Sequence, residues 1–326
     1  MQYVGIDVSK LKLDCCWLRD PENNKIKTKV FKNTLADHDA LAAWLRSKTK
    51  SNASDIQIVM EATSIYHESL AYALHGLGFR VCVTNPARSK DFAKSLGSTH
   101  KTDAKDSFML AMFGQRMTPD LWQPEPTEAR ELKALLARLE ALEADLQREN
   151  NRLEKAEFNH SSDRILESLR KMIDHLTTEK KRLENDVDDH IDRHPQLKKD
   201  RELMTSIPGV GSVVSRVMLS VIHSRSFKTA GQVAAYIGLI PRIQESGQWK
   251  GRSRLSKQGS PKVRAKLYMA AVVSISKNPD ISDQYQRLLK NGKSKMQAIG
   301  AAMRKLVQIC SGVVKHQSEY RPQYLS

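Results

Sequence analysis

Four carboxylates in the first third of the chain, Asp7, Glu61, Asp103 and Asp106, are of a type and placement that can hold a hard cation. Asp7 lies in Tyr3-Val-Gly-Ile-Asp-Val-Ser-Lys10, an apolar run ending in an acid. Glu61 ends a second such run, Ile56-Gln-Ile-Val-Met-Glu-Ala-Thr63. Asp103 and Asp106 lie in Lys101-Thr-Asp-Ala-Lys-Asp-Ser107, at the mouth of a predicted helix, where a spacing of three puts both on one face. A carboxylate at the end of a buried strand is costly unless a cation meets it. Divalent metals take such oxygen ligands, and a pair of metals can clamp both sides of a phosphodiester. The pattern points to strand chemistry on DNA or RNA. Asp14, on the neighbouring strand, is read as structural, with contact to the metal site as the alternative.

The elements that must position these acids alternate between strand and helix. Val4 to Val8, Leu11 to Leu18 and Lys25 to Phe31 read as three consecutive strands, parted by a short turn and the loop Pro21-Glu-Asn-Asn24. A helix carrying Ala36, Leu41 and Leu45 follows, then the strand Ile56 to Met60. A helix from Tyr66 to Leu77 and the strand Arg80 to Thr84, closed by Asn85-Pro86, complete the series. Three antiparallel strands followed by strand–helix repeats is the order of an RNase H-like α/β domain, a fold match made by analogy. Pro124 and Pro126 mark a boundary, so residues 1–122 form the expected metal-binding domain.

Residues 123–200 are expected to be helical and coiled-coil. Leu132, Leu135, Leu139, Leu142, Leu146 and Leu153 repeat at spacings of three, four and seven, flanked by charge. The polar break Asn159-His-Ser-Ser-Asp163 interrupts the seam, and Leu169, Ile173, Leu176, Leu183 and Val187 resume it up to Pro195. An intramolecular hairpin and pairing between chains both satisfy this pattern. His190 and His194 have the spacing of a zinc-binding helix but lack its glutamate, and are expected on the surface.

Residues 201–326 read as a mainly α domain. Ser206-Ile-Pro-Gly-Val-Gly211 before the apolar helix Val213 to Ile222 has the helix-hairpin-helix pattern. There Gly209 and Gly211 would leave backbone N–H groups free for a DNA phosphate; a tight interhelical turn is the plainer reading. Ala234-Ala-Tyr-Ile-Gly-Leu-Ile-Pro241, a basic Gly/Ser loop to Gly259, and helices from Pro261 to Ser276 and Lys295 to Lys315 follow.

The net charge of +16 over 326 residues favours a polyanionic partner. From Pro241 onward there are 17 Lys/Arg against 4 Asp/Glu, whereas Pro126 to Asp200 has 15 against 18, so the excess sits at the C-terminal end. Cys15, Cys16, Cys82 and Cys310 show no paired spacing and read as reduced thiols of a cytoplasmic protein. No apolar stretch approaches transmembrane length, and Met1 leads straight into a strand, so neither a membrane anchor nor a signal peptide is expected.

Taken together, Gly5-Ile-Asp7, Met60-Glu61-Ala-Thr63 and Lys101-Thr-Asp103-Ala-Lys-Asp106 resemble the tetrad of the DEDD-type insertion-sequence transposases of the IS-one-ten and Piv invertase family. Gly238-Leu-Ile-Pro241, Glu245-Ser-Gly247, Gly251-Arg252 and Ser256-Lys257-Gln-Gly259, with Arg264 and Leu267 following, resemble that family's second block. The resemblance covers nearly the whole chain, in order. It implies a RuvC-like N-terminal domain whose tetrad binds Mg²⁺, with Mn²⁺ as a substitute, and a serine recombinase whose nucleophile is Ser246. It also implies double-stranded donor and target DNA as substrates, a structured guide RNA, and a bacterial or archaeal, nucleoid-associated protein. A dimer through the coiled coil and a tetramer on DNA are further expectations.

Serine is a weak nucleophile near neutral pH, and no histidine lies near Ser246 in sequence to activate it. Arg242, Lys250, Arg252, Arg254, Lys257, Lys262, Arg264 and Lys266 are expected to contact phosphates around it, against the plainer reading of a solvated basic face. Two other functions fit parts of the sequence. A structure-selective, junction-resolvase-like endonuclease would use the same acids with water as nucleophile. A nucleic-acid-binding scaffold with an inert acid cluster would be unaffected by losing Asp7.

Overall fold

The computed structural model describes residues 1–62, 65–97, 103–242, 245–246, 249–250 and 254–322, with residues 245, 246, 249 and 250 described by backbone alone. The chain divides into two compact units, Met1–Pro124 and Glu125–Ser326.

In the first unit, β1 (Gln2–Val8), β2 (Lys12–Asp20) and β3 (Lys25–Lys32) are followed by α1 (Leu35–Thr49), β4 (Ile56–Glu61), α2 (Glu68–Gly76) and β5 (Arg80–Thr84). Two more helices close the unit, α3 (Pro86–Ser95) and α4 (Asp103–Met117). The strands form one mixed sheet in the order β3-β2-β1-β4-β5. β1–β2 and β2–β3 are antiparallel, and β1–β4 and β4–β5 are parallel. Because successive side chains of a strand point to opposite faces, residue parity decides what each one meets. Val4, Ile6, Leu13, Cys15, Ile58 and Met60 pack with Leu41 and Leu45 of α1 and Leu70 and Leu74 of α2. Val59 and Leu18 face the other way, onto Leu110, Phe113, Ala111 and Met112 of α4. On their own strands Asp7 shares the face of Gly5, Asp14 that of Leu18 and Glu61 that of Val59, so all three lie on the α4 face.

Helix α4 approaches the sheet unusually closely. A Cβ added at Gly5 would overlap the Ser107 carbonyl oxygen and the Ala111 backbone nitrogen, and would sit 2.9 Å from the Leu110 Cβ. At Gly114 an added Cβ would sit 2.7 Å from Val59 Cγ2. Gly5 of the central strand, which faces helix backbone, therefore sets the helix–sheet spacing, and Gly114 of the helix leaves room for the Val59 side chain.

Asn85-Pro86 does more than close β5. The Asn85 side chain accepts a hydrogen bond from the Ala87 N–H and Pro86 occupies the first turn, so the pair opens α3.

The second unit begins with α5 (Thr127–Phe158) and α6 (Asp163–Arg193), which pack on each other as a helical hairpin with arms about 45–50 Å long. Its packing is graded. Leu132, Leu139, Leu142, Leu183 and Val187 are buried, Leu146, Leu153, Leu169 and Ile173 only partly, and Phe158 at the tip is 85 % exposed. His190 and His194 are not surface residues. Both are partly buried, with the His190 Nε2 2.8 Å from the Glu128 carbonyl oxygen across the hairpin and the His194 Nδ1 2.7 Å from the His190 carbonyl oxygen.

Beyond the hairpin come α7 (Pro195–Thr205), α8 (Ser212–Ile222) and α9 (Ala230–Ile237), then short strands β6 (Pro241–Arg242), β7 (Glu245–Ser246), β8 (Trp249–Lys250) and β9 (Arg254–Leu255). Helices α10 (Pro261–Lys277), α11 (Pro279–Lys290) and α12 (Lys295–His316) complete the unit around a core that includes Met218, Leu219, Ala234, Leu267, Ala271, Leu306 and Val307.

The start of α7 and the chain end are joined by a buried acid. Asp200 accepts hydrogen bonds from the side-chain nitrogens of Gln196 (3.0 Å) and Gln317 (2.7 Å) and lies 2.8 Å from His223 Nε2. Burial by itself would raise the Asp200 carboxyl, but the bonds from His223, Gln317 and Gln196 outweigh it and hold the group below the ordinary range. The stability this contributes is complete above the unfolded carboxyl pKa of about 4 and is lost as pH falls through the lower folded value. Asp200→Ala, which orphans three polar partners, is expected to lower the urea-unfolding stability by roughly 2–4 kcal/mol at pH 7 and by less at pH 3.

Candidate active site

Three neighbouring strands deliver the acids. Asp7 and Asp14 are cross-strand partners on β1 and β2, and Glu61 follows Met60, the β4 partner of Ile6. Above them, Asp103 and Asp106 occupy the first turn of α4, where the helix dipole favours negative charge. Asp7, Asp14 and Asp103 each offer a carboxylate oxygen within 4.8 Å of the others. The Asp7 carboxyl is pushed up to about 6, first by burial and then by the charges of Asp103, Asp106, Glu61 and Asp14. All four sequence-predicted acids therefore act on one point, and Asp14 joins them. Asp14 lies within 4.8 Å of the Asp7 and Asp103 carboxylate oxygens, the placement that its alternative reading, contact with a metal site, requires.

Two residues that the sequence reading passed over complete this centre. Lys12 Nζ lies 2.6 Å from Asp103 Oδ2 and 3.1 Å from Asp14 Oδ2. Buried Ser89 of α3 donates its hydroxyl to Glu61 Oε1 at 2.7 Å. Lys12 had a local signal, since it stands two residues from Asp14 on the same strand face. Ser89 had none, because α3 was not anticipated.

The donor set fits a hard divalent cation. It is all carboxylate oxygen, partly desolvated, with mutual repulsion that only positive charge relieves. Neutral water would not offset that repulsion, and a soft metal would prefer thiolate or imidazole ligands to these oxygens.

In the second unit, Ser246 lies on β7 opposite Trp249 of β8, and Glu245 lies opposite Lys250. The side chains of Ser246 and Lys250, and all of Arg252, fall outside the described residues. Arg242 and Arg254 are direct cross-strand partners on β6 and β9, both exposed, and Lys257 is exposed with a positive φ of 55°. The other three predicted cations have protein partners. Arg264 donates to the carbonyl oxygens of Ile237 (3.1 Å) and Gly259 (2.6 Å), tying the end of α9 to the exit of the loop. Lys262 and Lys266 pair with Glu140 of α5 at 3.4 and 3.5 Å. At the α7–α8 turn, Gly209 has φ +96° and an added Cβ would overlap Ser274 Oγ, so this glycine is needed for packing on α10. Gly211, the N-cap of α8, has open space around it.

Comparison with known proteins gives this arrangement a class. A family model named for the DEDD transposases of IS110 and described as "Transposase" matches residues 4–156, which contain all the acids. A second, described as "Transposase IS116/IS110/IS902 family", matches residues 201–286, which contain the serine strand. The chain belongs to this transposase family. It is 30 % identical to the pilin gene-inverting protein of Moraxella bovis over 98 % of this chain and 97 % of that one. The corresponding protein of Moraxella lacunata is 31 % identical over the same shares. A 43.6 kDa protein of insertion element IS110 from Streptomyces coelicolor is 23 % identical over 48 % of this chain and 38 % of its own. Among the described residues no helix is long and apolar enough to cross a membrane.

Proposed function

We propose that this chain is an insertion-sequence transposase or DNA invertase that cuts and rejoins double-stranded DNA at donor and target sites. The carrying observation is the convergence of Asp7, Asp14 and Asp103, with Glu61 and Asp106 acting on the same point, in a chain related end to end to DNA-inverting proteins. The sheet order β3-β2-β1-β4-β5 with acids on adjacent strand ends supports a RuvC-like, RNase H-type domain. Asp7, Asp14 and Asp103, with Glu61 and Asp106, would hold Mg²⁺ or Mn²⁺. A bound metal of this kind supplies Lewis-acid stabilisation of phosphoryl oxygens.

In this reading the Ser246 hydroxyl attacks phosphorus, losing its proton as the P–O bond to the 3′ oxygen breaks. The departing 3′ oxygen takes up a proton, and the chain is left ester-linked to a 5′ phosphate. Attack by another 3′-hydroxyl reverses the step on a new strand, with the number of phosphoester bonds conserved and no ATP required. The exposed Arg242, Arg254 and Lys257, with Lys250 and Arg252, would carry the phosphate contacts. Lys262, Lys266 and Arg264 would do so only by leaving the partners they have. The α5–α6 hairpin would pair chains as a coiled coil into a dimer, with a tetramer on DNA, and an element-encoded RNA would select the DNA. The protein would act in the cytoplasm of its host.

The test is a denaturing gel of labelled junction DNA after incubation with the protein, its co-purified RNA and Mg²⁺. A protein–DNA adduct is expected with the unmodified chain and none with Ser246→Ala. Cleavage without an adduct in either would replace the serine mechanism by a water-using, junction-resolvase-like nuclease.

A further inference from the structure

We propose that Lys12 is a positioning residue that serves as the resident cation of the acidic centre, tying Asp14 to Asp103 until a divalent metal displaces it. The proposal rests on the metal-binding reading above. Two of the three carboxylates that come within 4.8 Å of one another already have an oxygen on the Lys12 ammonium, at 2.6 and 3.1 Å. A metal bound by the same group would draw on the same carboxylates and the same negative charge, so lysine and metal compete for one centre.

The local structure suits an exchangeable partner. The Lys12 backbone is held by Ser9: the Lys12 N–H donates to Ser9 Oγ (3.1 Å), and the Lys12 carbonyl accepts from the Ser9 hydroxyl (2.9 Å) and the Ser9 N–H (3.0 Å). The root of the side chain is thus held, while the side chain as a whole is 46 % exposed and its head sits on a flexible four-carbon stem. The head can leave for solvent without disturbing β2. While in place it spans from β2 to the first turn of α4, offsetting repulsion among five carboxylates and keeping the helix start at ligand distance.

Full-length protein without nucleic acid is titrated with Mn²⁺, followed by electron paramagnetic resonance of the free ion, for the unmodified chain, Lys12→Ala, Lys12→Gln and Lys12→Arg. Lys12→Ala and Lys12→Gln are expected to bind Mn²⁺ roughly three- to tenfold more tightly, and Lys12→Arg about as the unmodified chain does. In thermal melts both neutral variants should be less stable than the unmodified chain without metal, and the gap should close at saturating Mn²⁺. If the unmodified chain binds Mn²⁺ and the neutral variants bind it equally or more weakly, the role of Lys12 is overturned and the metal site stands. If the unmodified chain binds no Mn²⁺, both fall together.

Discussion

Asp7→Asn is expected to cut strand transfer by at least about 100-fold and, at the same time, to make the metal-free protein more stable. The first effect follows because Asp7 belongs to the three-carboxylate group, and even residues behind a metal ligand typically cost 10–100-fold when removed. The second follows from the direction of its pKa. Burial and four neighbouring carboxylates push the Asp7 carboxyl up to about 6. The ionised form is therefore unfavourable in the folded chain. That cost is fully present above about pH 6 and is relieved as pH falls toward the unfolded value near 4. A neutral amide removes it, which should add roughly 1–3 kcal/mol at pH 8 after allowance for partial exposure. Melts of both proteins at pH 8 and pH 5 without metal, then with Mn²⁺, check the argument. Asp7→Asn should melt higher at pH 8, the difference should shrink at pH 5, and Mn²⁺ should stabilise only the unmodified chain. Equal melting at pH 8 would contradict the picture of a repulsive, cation-seeking centre.

Gly5→Ala, two residues away, should do the opposite to stability. Its methyl group would meet the backbone of Ser107 and Ala111 and the Leu110 Cβ at 2.9 Å, and backbone atoms in a helix cannot step aside singly. Either α4 lifts from the sheet or the first unit opens, at roughly 3–5 kcal/mol. Lifting α4 also carries Asp103 and Asp106 away from Asp7, so Mn²⁺ affinity should fall although no ligand has changed. Gly114→Ala is the internal control. Its added methyl crowds Val59 Cγ2, a side-chain atom rather than helix backbone, and about 1–2 kcal/mol is expected. Urea unfolding followed by circular dichroism ranks the two. A Gly114→Ala loss as large as that of Gly5→Ala would mean that the close approach at β1 does not set the helix position.

The acids were legible because parity and helical spacing are local. Asp7 and Glu61 end apolar runs, and Asp103 and Asp106 stand three apart at a helix start, so their shared faces follow from backbone geometry alone. The leucine seam was legible for the same reason, and so was the charge gradient toward the C-terminal end.

Which partners those elements choose is a different matter, because it depends on residues distant in sequence. Ser89 reaches Glu61 across 28 positions and Lys12 reaches Asp103 across 91. The seam admitted pairing between chains or within one, and the α5–α6 contact in this chain shows that the hairpin forms. Basic residues after Gly259 looked alike, yet Arg264 is committed to two carbonyl oxygens and Lys262 and Lys266 to Glu140 of α5. By itself the sequence determined which residues can bear charge on a common face. The tertiary structure decided which of those charges meet, since the meeting turns on how closely α4 can approach β1, and that is set by a side chain that Gly5 does not have.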